Sequence, residues 1–238
     1  MAKPQMTFQR YEIKYRISRL QLLRILYAMA PYMEEDPWGK STVCNIYFDT
    51  PDYRLVRHSQ EKPVYKEKLR LRSYGKATAE TPVFLELKKK YKSIVYKRRI
   101  TLPEADAMAY LLGSGRLPES QIAREIDYFI HHYGDMLPAV QLSYDRIAYY
   151  SKTDPNFRVT FDGNILFREE NLSLCGGIYG TPLLPRDQVL MEVKTAGAIP
   201  LWMTALLTEM QIRKTSFSKY GEAYETICRE AKGGLHYA

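Results

Sequence analysis

Lys66, Lys68, Arg70 and Arg72 occupy every second position of one segment, with Glu67, Leu69 and Leu71 between them. A β-strand points successive side chains to opposite faces, so this segment offers four cations to one side and a largely apolar strip to the other. The pattern recurs along the chain. Arg10, Glu12, Lys14 and Arg16 oppose Tyr11, Ile13, Tyr15 and Ile17, and Glu86, Lys88 and Lys90 oppose Leu85 and Leu87. Lys97 and Arg99 oppose Ile100 and Leu102, with Arg98 interrupting the apolar side. Tyr144 falls with Arg146; Arg158, Thr160 and Asp162 oppose Phe157, Val159 and Phe161; Glu192 and Lys194 oppose Met191 and Val193. Together these faces hold fourteen cations and four acids, a net +10 against +8 for the whole chain. The positive charge sits on one side of the strands.

On any single strand, Lys and Arg are the ordinary occupants of a wet face. Taken together the faces resist that explanation, because like charges directly opposite across strands repel. An anion among them removes the conflict. Phosphate oxygens suit it, with arginine binding bidentately and lysine acting as a compact charge. The acids have two readings. Glu12, Glu86 and Glu192 are either salt-bridge partners of neighbours such as Lys14, Lys88 and Lys194, or ligands for a divalent metal that bridges phosphates. Other chemistry is thin. His58, His131, His132 and His236 show no metal-ligand spacing, and the adjacent pair diverges on a helix. No Walker-type glycine loop is present. Twenty tyrosines, against 2 tryptophans and 8 phenylalanines, would suit base stacking. Most alternate onto apolar faces, where packing is their use.

Eight strands are predicted to position these residues: 8–17, 42–48, 64–74, 82–90, 94–102, 139–150, 157–167 and 188–195. Tyr91-Lys92-Ser93 reads as a hairpin turn, as does Thr153 to Asn156, and Asp49 to Tyr53 as a turn-rich connection. Five helices are predicted, from Ser18 to Met33, Pro103 to Leu112, Glu119 to Tyr133, Pro200 to Gln211 and Ser218 to Arg229. The loop Asn171 to Arg186 carries no clear pattern. Eight strands that close on themselves remove exposed edges, and their apolar outer face then needs the helices as cover. The expected architecture is therefore α+β: one domain over residues 1–238, a closed eight-stranded antiparallel barrel with helices outside and a basic tunnel within. Composition agrees with a folded chain, at 45% hydrophobic and 26% charged. No apolar run is long enough to span a bilayer, and Met1 to Thr7 has no secretory character. Cys44, Cys175 and Cys228 are odd in number and far apart, which argues for a reducing, cytoplasmic setting.

Six motifs in order carry a resemblance: Arg10-Tyr-Glu12-Ile-Lys14, Lys68-Leu-Arg70-Leu-Arg72, Glu86-Leu-Lys88, Tyr144-Asp-Arg146, Glu192-Val-Lys194 and Ser218-Lys219-Tyr220-Gly221. Over roughly residues 8–230 the chain resembles the VTC domain, the polyphosphate polymerase domain of the vacuolar transporter chaperone family, within the triphosphate tunnel metalloenzymes. The resemblance implies a tunnel of eight antiparallel strands that binds ATP, polyphosphate and Mn²⁺ or Mg²⁺. It implies that Lys14, Arg70, Arg72, Lys88, Arg146, Arg158 and Lys219 bind phosphate, with Lys97 and Arg99 both facing inward to add to them. Tyr144 and Ser218 match lesser phosphate contacts, Lys68 and Lys194 share the same face, and Glu192 matches the metal ligand, with Glu12 and Glu86 as further candidates. Hydrolases and cyclases of the superfamily open with Glu-x-Glu-x-Lys, whereas Arg10 stands at the first acid here, which favours the polymerase branch. The expected activity is transfer of the ATP γ-phosphate onto a polyphosphate chain. Its rivals are a triphosphatase of the same fold and a non-catalytic module for polyphosphate or RNA. The expected setting is the cytoplasm, at the inner face of a membrane through a membrane-protein partner for chain export, with no nucleic acid as partner.

Overall fold

The structure, a computed structural model, describes residues 11–92 and 94–234. Arg10, the start of the first strand at Phe8, the turn residue Ser93 and His236 lie outside the described residues. In chain order the elements are β1 (Tyr11–Ser18), α1 (Arg19–Met29), β2 (Met33–Asp49), α2 (Arg54–Gln60), β3 (Tyr65–Tyr74), β4 (Pro82–Tyr91), β5 (Ile94–Pro103) and α3 (Glu104–Leu111). They continue as α4 (Gln121–Tyr133), β6 (Leu137–Ser151), β7 (Arg158–Arg168), β8 (Thr181–Pro182), β9 (Gln188–Thr195), α5 (Leu201–Glu209), β10 (Lys214–Thr215) and α6 (Lys219–Gly234). The eight predicted strands are present as the long strands of one antiparallel sheet. Its order is β10-β1-β9-β7-β6-β2-β3-β4-β5, with β8 added beside β7.

The expected closure of the barrel is not found. β1 pairs with β9 along one edge, and β10 takes part of the other, Lys14 opposite Thr215 and Tyr15 opposite Lys214. That leaves β5 at the far end of the ladder, unpaired with β1. The curled sheet is bridged instead by side chains, Lys88 of β4 reaching Glu12 of β1 at 3.7 Å.

Apolar alternation builds the outer layers. Leu69, Leu71, Leu85 and Leu87 are buried against Ala107 of α3 and Ile126 and Phe129 of α4, each leucine worth about 2 kcal/mol of removed apolar surface. On the other side Tyr15, Ile17, Val159, Phe161, Met191 and Val193 pack against Ile25 and Met29 of α1 and Met203 and Leu207 of α5. The helices are not all outside, however. The first turn of α6 sits against the concave face, where Tyr220 stacks on Tyr47 with ring centroids 4.7 Å apart.

Several element boundaries are corrected. α1 starts as expected, with Ser18 accepting from the Gln21 N–H and Gln21 returning a bond to the Ser18 N–H, but it stops at Met29. β2 begins nine residues early, at Met33, with an irregularity between Glu35 and Lys40. α2 was not anticipated. Its cause lies just upstream, in the buried Asp49 carboxylate, which accepts from the N–H groups of Leu55 (2.8 Å) and Val56 (3.0 Å) at the helix start. The same carboxylate accepts from the Tyr220 hydroxyl at 2.8 Å, tying α2 to α6. Asp49→Ala strands three buried N–H groups, of Thr50, Leu55 and Val56, and a phenol, so a loss of about 3 kcal/mol is expected in urea unfolding, partly recovered by Asp49→Asn.

Candidate functional site

Strand register brings the cations to one concave face. Lys68 lies opposite Lys88, Lys66 opposite Lys90, and Lys88 also opposite Lys97; Arg158 lies opposite Lys194. Four directly opposed like-charged pairs are costly in a sheet unless counter-charge lies among them. Four carboxylates stand among the cations of this face.

Glu86, buried on β4, takes Arg70 at 2.7 Å, the Lys97 ammonium on its second oxygen, and Arg72 at 4.0 Å. Burial alone would raise its pKa, but Arg70, Arg72 and Lys97 outweigh that and hold it at about 2. Asp162, fully buried on β7, takes Arg146 bidentately at 2.6 and 2.7 Å and Lys219 of α6 at 2.6 Å. Glu192 on β9 stands among Lys14 and Lys219, each at 3.4 Å, Arg146 at 3.6 Å and Lys194 at 3.8 Å. Against the desolvation of a buried site, these four cations keep Glu192 well below the usual carboxylate range. Glu12 joins the network through Lys14 and Lys88, both at 3.7 Å. Burial and Glu192 push it up, and Lys88, Lys14 and Lys194 hold it at about 2.

Neutral groups complete the lining. Arg70 donates to the Tyr47 hydroxyl (3.2 Å), and Arg72 to Asn45 Oδ1 (2.8 Å) and the Tyr144 hydroxyl (3.2 Å). The Tyr144 ring lies beneath Arg146 and Lys219, 5.1 and 4.5 Å from its centroid. Beyond Tyr144 the face turns apolar, where Val43, Ile165, Leu184, Leu190 and Phe217 are buried together. Ser218 caps α6 through the Gly221 N–H (3.3 Å) and receives Lys68 at 3.0 Å. A side chain at position 221 would come within 3.2 Å of Ser218, so glycine keeps that hydroxyl accessible. Here α6 walls a cavity of about 390 Å³ whose other sides are Lys14, Lys66, Lys68, Lys88 and Lys90.

Most of the residues predicted for the site are thus neighbours. Lys14, Lys68, Arg70, Arg72, Lys88, Lys97, Arg146, Lys194 and Lys219 fall in one connected network with Glu12, Glu86, Glu192, Tyr144 and Ser218. Arg99 faces the same way but stacks over the Phe84 ring at 4.6 Å. Arg158 is exposed and shares its register position with Lys194 rather than joining the carboxylates. Arg98, the interruption on the apolar side, pairs with Glu125 of α4 at 2.8 Å. Sequence reasoning overlooked three members. Asp162 stood in the alternation beside Arg158 and Thr160 and was available as a signal, whereas Tyr47 and Asn45 lie on a strand with no charge pattern. Lys219 stands in the first turn of α6, where the helix dipole disfavours a cation, and its pairing with Asp162 at 2.6 Å offsets that cost.

The donor set bears on a metal. Among the described residues no group of three or more His, Cys, Asp or Glu side chains is placed to hold one. Asp162 and Glu86 are taken up by their cations. Glu192 and Glu12 flank Lys14 and fit an ion that draws most of its oxygens from phosphate, the way magnesium is usually bound beside a nucleotide.

A model of the VTC domain matches residues 9–228. Subunit 4 of the vacuolar transporter chaperone complex of Schizosaccharomyces pombe is 28% identical over 231 residues, covering 79% of this chain and 32% of that protein. The chain spans about a third of the length of the curated relative it matches. Among solved structures, a candidate adenylate cyclase from Bacillus halodurans superposes with a TM-score of 0.54 at 15% identity, over 87% of this chain and 92% of that one. A second, from Vibrio parahaemolyticus, gives 0.48 at 11% identity, over 92% and 99%. The likeness to the Bacillus halodurans structure concerns the fold alone.

Lys68 and Tyr47 set a pH limit. Burial lowers Lys68 to about 8, with Tyr47 opposing and Lys88, Lys14 and Lys66 adding to the fall. Burial raises Tyr47, but Arg70, Lys68 and Arg72 bring it down to about 8. As pH rises through 8 the ammonium becomes neutral and the phenol becomes an anion, so both changes remove positive charge and tripolyphosphate affinity falls. Calorimetric Kd values should rise less steeply from roughly pH 6.5 to 9.5 for Tyr47→Phe than for wild type, a comparison in which the ligand's own titration cancels.

Proposed function

The chain belongs to the VTC domain family, and from that premise we propose that its cation-lined interior is the active site of a polyphosphate polymerase, transferring the γ-phosphoryl group of ATP to the end of a polyphosphate chain. The observation that carries this reading is the convergence of Arg70, Arg72, Arg146 and Lys219, from two strands and a helix terminus, around carboxylates that fix them beforehand. Phosphoryl transfer asks little covalent work of a protein and a great deal of positioning and charge stabilisation. An oxygen of the acceptor's terminal phosphate attacks the γ-phosphorus, the bond to the β-phosphate oxygen breaks, and ADP leaves. No protein nucleophile takes part. Arg70 and Arg72 stabilise charge on the transferred group's outer oxygens. Arg146 of β6 and Lys219 of α6 do so from beside them, over the Tyr144 ring. The lysines of the α6 cavity, Lys66, Lys68, Lys88 and Lys90, hold a linear polyanion without demanding bidentate geometry. A Mn²⁺ or Mg²⁺ ion held by Glu192, with Glu12 nearby, would supply further charge neutralisation at phosphate oxygens.

No helix among the described residues is long and apolar enough to cross a membrane. In this reading export of the chain belongs to a membrane-protein partner, with this domain on the cytoplasmic side. The similar yeast protein is a subunit of a complex, which supports a partnered rather than solitary role.

Incubation with ATP and Mn²⁺ should yield ADP together with chains longer than three phosphates. Free phosphate without chains would make the protein a triphosphatase, and neither product would make it a binding module. Arg70→Ala should lower turnover of the folded protein by about 10²- to 10³-fold, as removal of one transition-state donor does elsewhere, and should lower the melting temperature because Glu86 loses its arginine. Glu192→Gln should fall steeply and be rescued little by added Mn²⁺. Wild-type chain yield from Arg70→Ala rejects the assignment.

A further inference from the structure

Beyond the interior, the largest exposed apolar side chains of the two helices over β1, β7 and β9 fall on one surface. In α1, Leu20, Leu23 and Tyr27 are 67%, 64% and 87% exposed, although Ile25 and Met29 already satisfy the core beneath. In α5, Leu201 is 86% exposed while Met203 and Leu207 face inward. The helices run antiparallel side by side. Tyr32, just after α1, stacks on Trp202 at 4.6 Å, and at the other end Gln21 donates to the Met210 carbonyl. Exposed Ala196, Gly197 and Ala198 extend the surface before α5.

Its charge is mainly positive, although Glu209 at the end of α5 lies exposed beside Leu20 and Arg24. From Ile13 to Met33 there is no acid, while Arg19 and Arg24 lie exposed on α1. From Thr195 to Thr208 there is no charged residue of either sign. Leucines, tyrosines and a tryptophan beside arginines are what an interfacial helix presents to lipid, the aromatic rings at headgroup depth and the guanidinium groups on acidic phosphates. Between the helix ends a cavity of about 260 Å³ is lined by Gln21, Arg24, Glu209 and Gln211 with Leu20 and Met210, too polar to serve as an apolar groove for another helix. A second copy docked two-fold on the same patch would bring Arg19 and Arg24 against their own equivalents.

We propose that the α1–α5 surface rests directly on an anionic phospholipid bilayer. The contact is independent of whether the interior turns over ATP. It places the domain at the membrane by its own surface rather than only through a partner.

Sedimentation with phosphatidylcholine vesicles, with and without phosphatidylserine, tests this, with saturating tripolyphosphate present to occupy the interior cations. Wild-type chain should sediment with phosphatidylserine-containing vesicles despite the tripolyphosphate. Leu23→Ser combined with Tyr27→Ser, and separately Leu201→Ser, should weaken binding about tenfold or more. Arg19→Glu with Arg24→Glu should abolish the preference for the anionic vesicles. Melting temperature and turnover in solution should stay unchanged in all of them, and the single Tyr27→Ser, at a side chain almost wholly in solvent, serves where a double variant folds poorly. The proposal is overturned by wild-type binding in the variants, by release of the vesicles with tripolyphosphate, or by a wild-type dimer in solution that Leu201→Ser dissociates.

Discussion

Lys68 faces Lys88 across hydrogen-bonded strands, and Lys66 faces Lys90, an arrangement that would drive β3 and β4 apart in an ordinary sheet. Among the described residues, Lys88 alone of these four pairs with an acid, Glu12 at 3.7 Å, whereas the neighbouring cations of the same face are held by buried carboxylates at their crossings. Glu86 joins β3, β4 and β5 through Arg70 and Lys97. Asp162 joins β6, β7 and α6 through Arg146 and Lys219. Remove either acid and its cations lose their nearest counter-charge, and breaking a buried pair in this way costs about 3 to 5 kcal/mol. The curled sheet, the inward seat of α6 and the basic lining all depend on these two side chains.

The same pairing prepares the interior for phosphate. A guanidinium fixed by a carboxylate keeps its remaining N–H donors aimed into the cavity, so less side-chain freedom is lost when an anion arrives. Glu86 and Asp162 are encircled, and their charge is spent structurally. Glu192 is approached by four cations at 3.4 Å or more, looser than the Asp162 pairs. That difference in tightness separates a carboxylate that holds the wall together from one able to exchange partners.

Strand periodicity made the basic face legible from sequence, because a period of two fixes which residues share a side whatever the tertiary context. Lys66 to Arg72, Glu86 to Lys90 and Glu192 with Lys194 all fall where alternation puts them. The role of Asp162 was not legible in the same way, since it depends on β6–β7 register and on α6 arriving from 57 residues away in sequence. α2 escaped notice because its seven residues carry no periodic signal and its start is fixed by Asp49, outside the helix. The irregular loop before β9 is organised by one buried guanidinium. Arg168 donates to the carbonyls of Gly177 and Tyr179, to Gln141 and to Asn171, and a contact set of that kind leaves no trace in composition. Closure was overestimated for a similar reason, since a two-residue strand such as β10 shows no alternation at all.

Pairing of β10 with β1 has a topological consequence for a linear polymer. A hydrogen-bonded barrel can be filled by a long chain only from an end, which for a polyanion means dragging every unit past every cation. Where β1 and β5 do not meet, the wall is held by an ion pair between Glu12 and Lys88, two side chains without a backbone ladder. Such a contact yields to a competing phosphate or to salt far more readily than a strand yields to a strand. On the polymerase reading, an interior closed at this point by an ion pair rather than by a strand ladder would admit a long chain from the side, at its middle, as well as from an end.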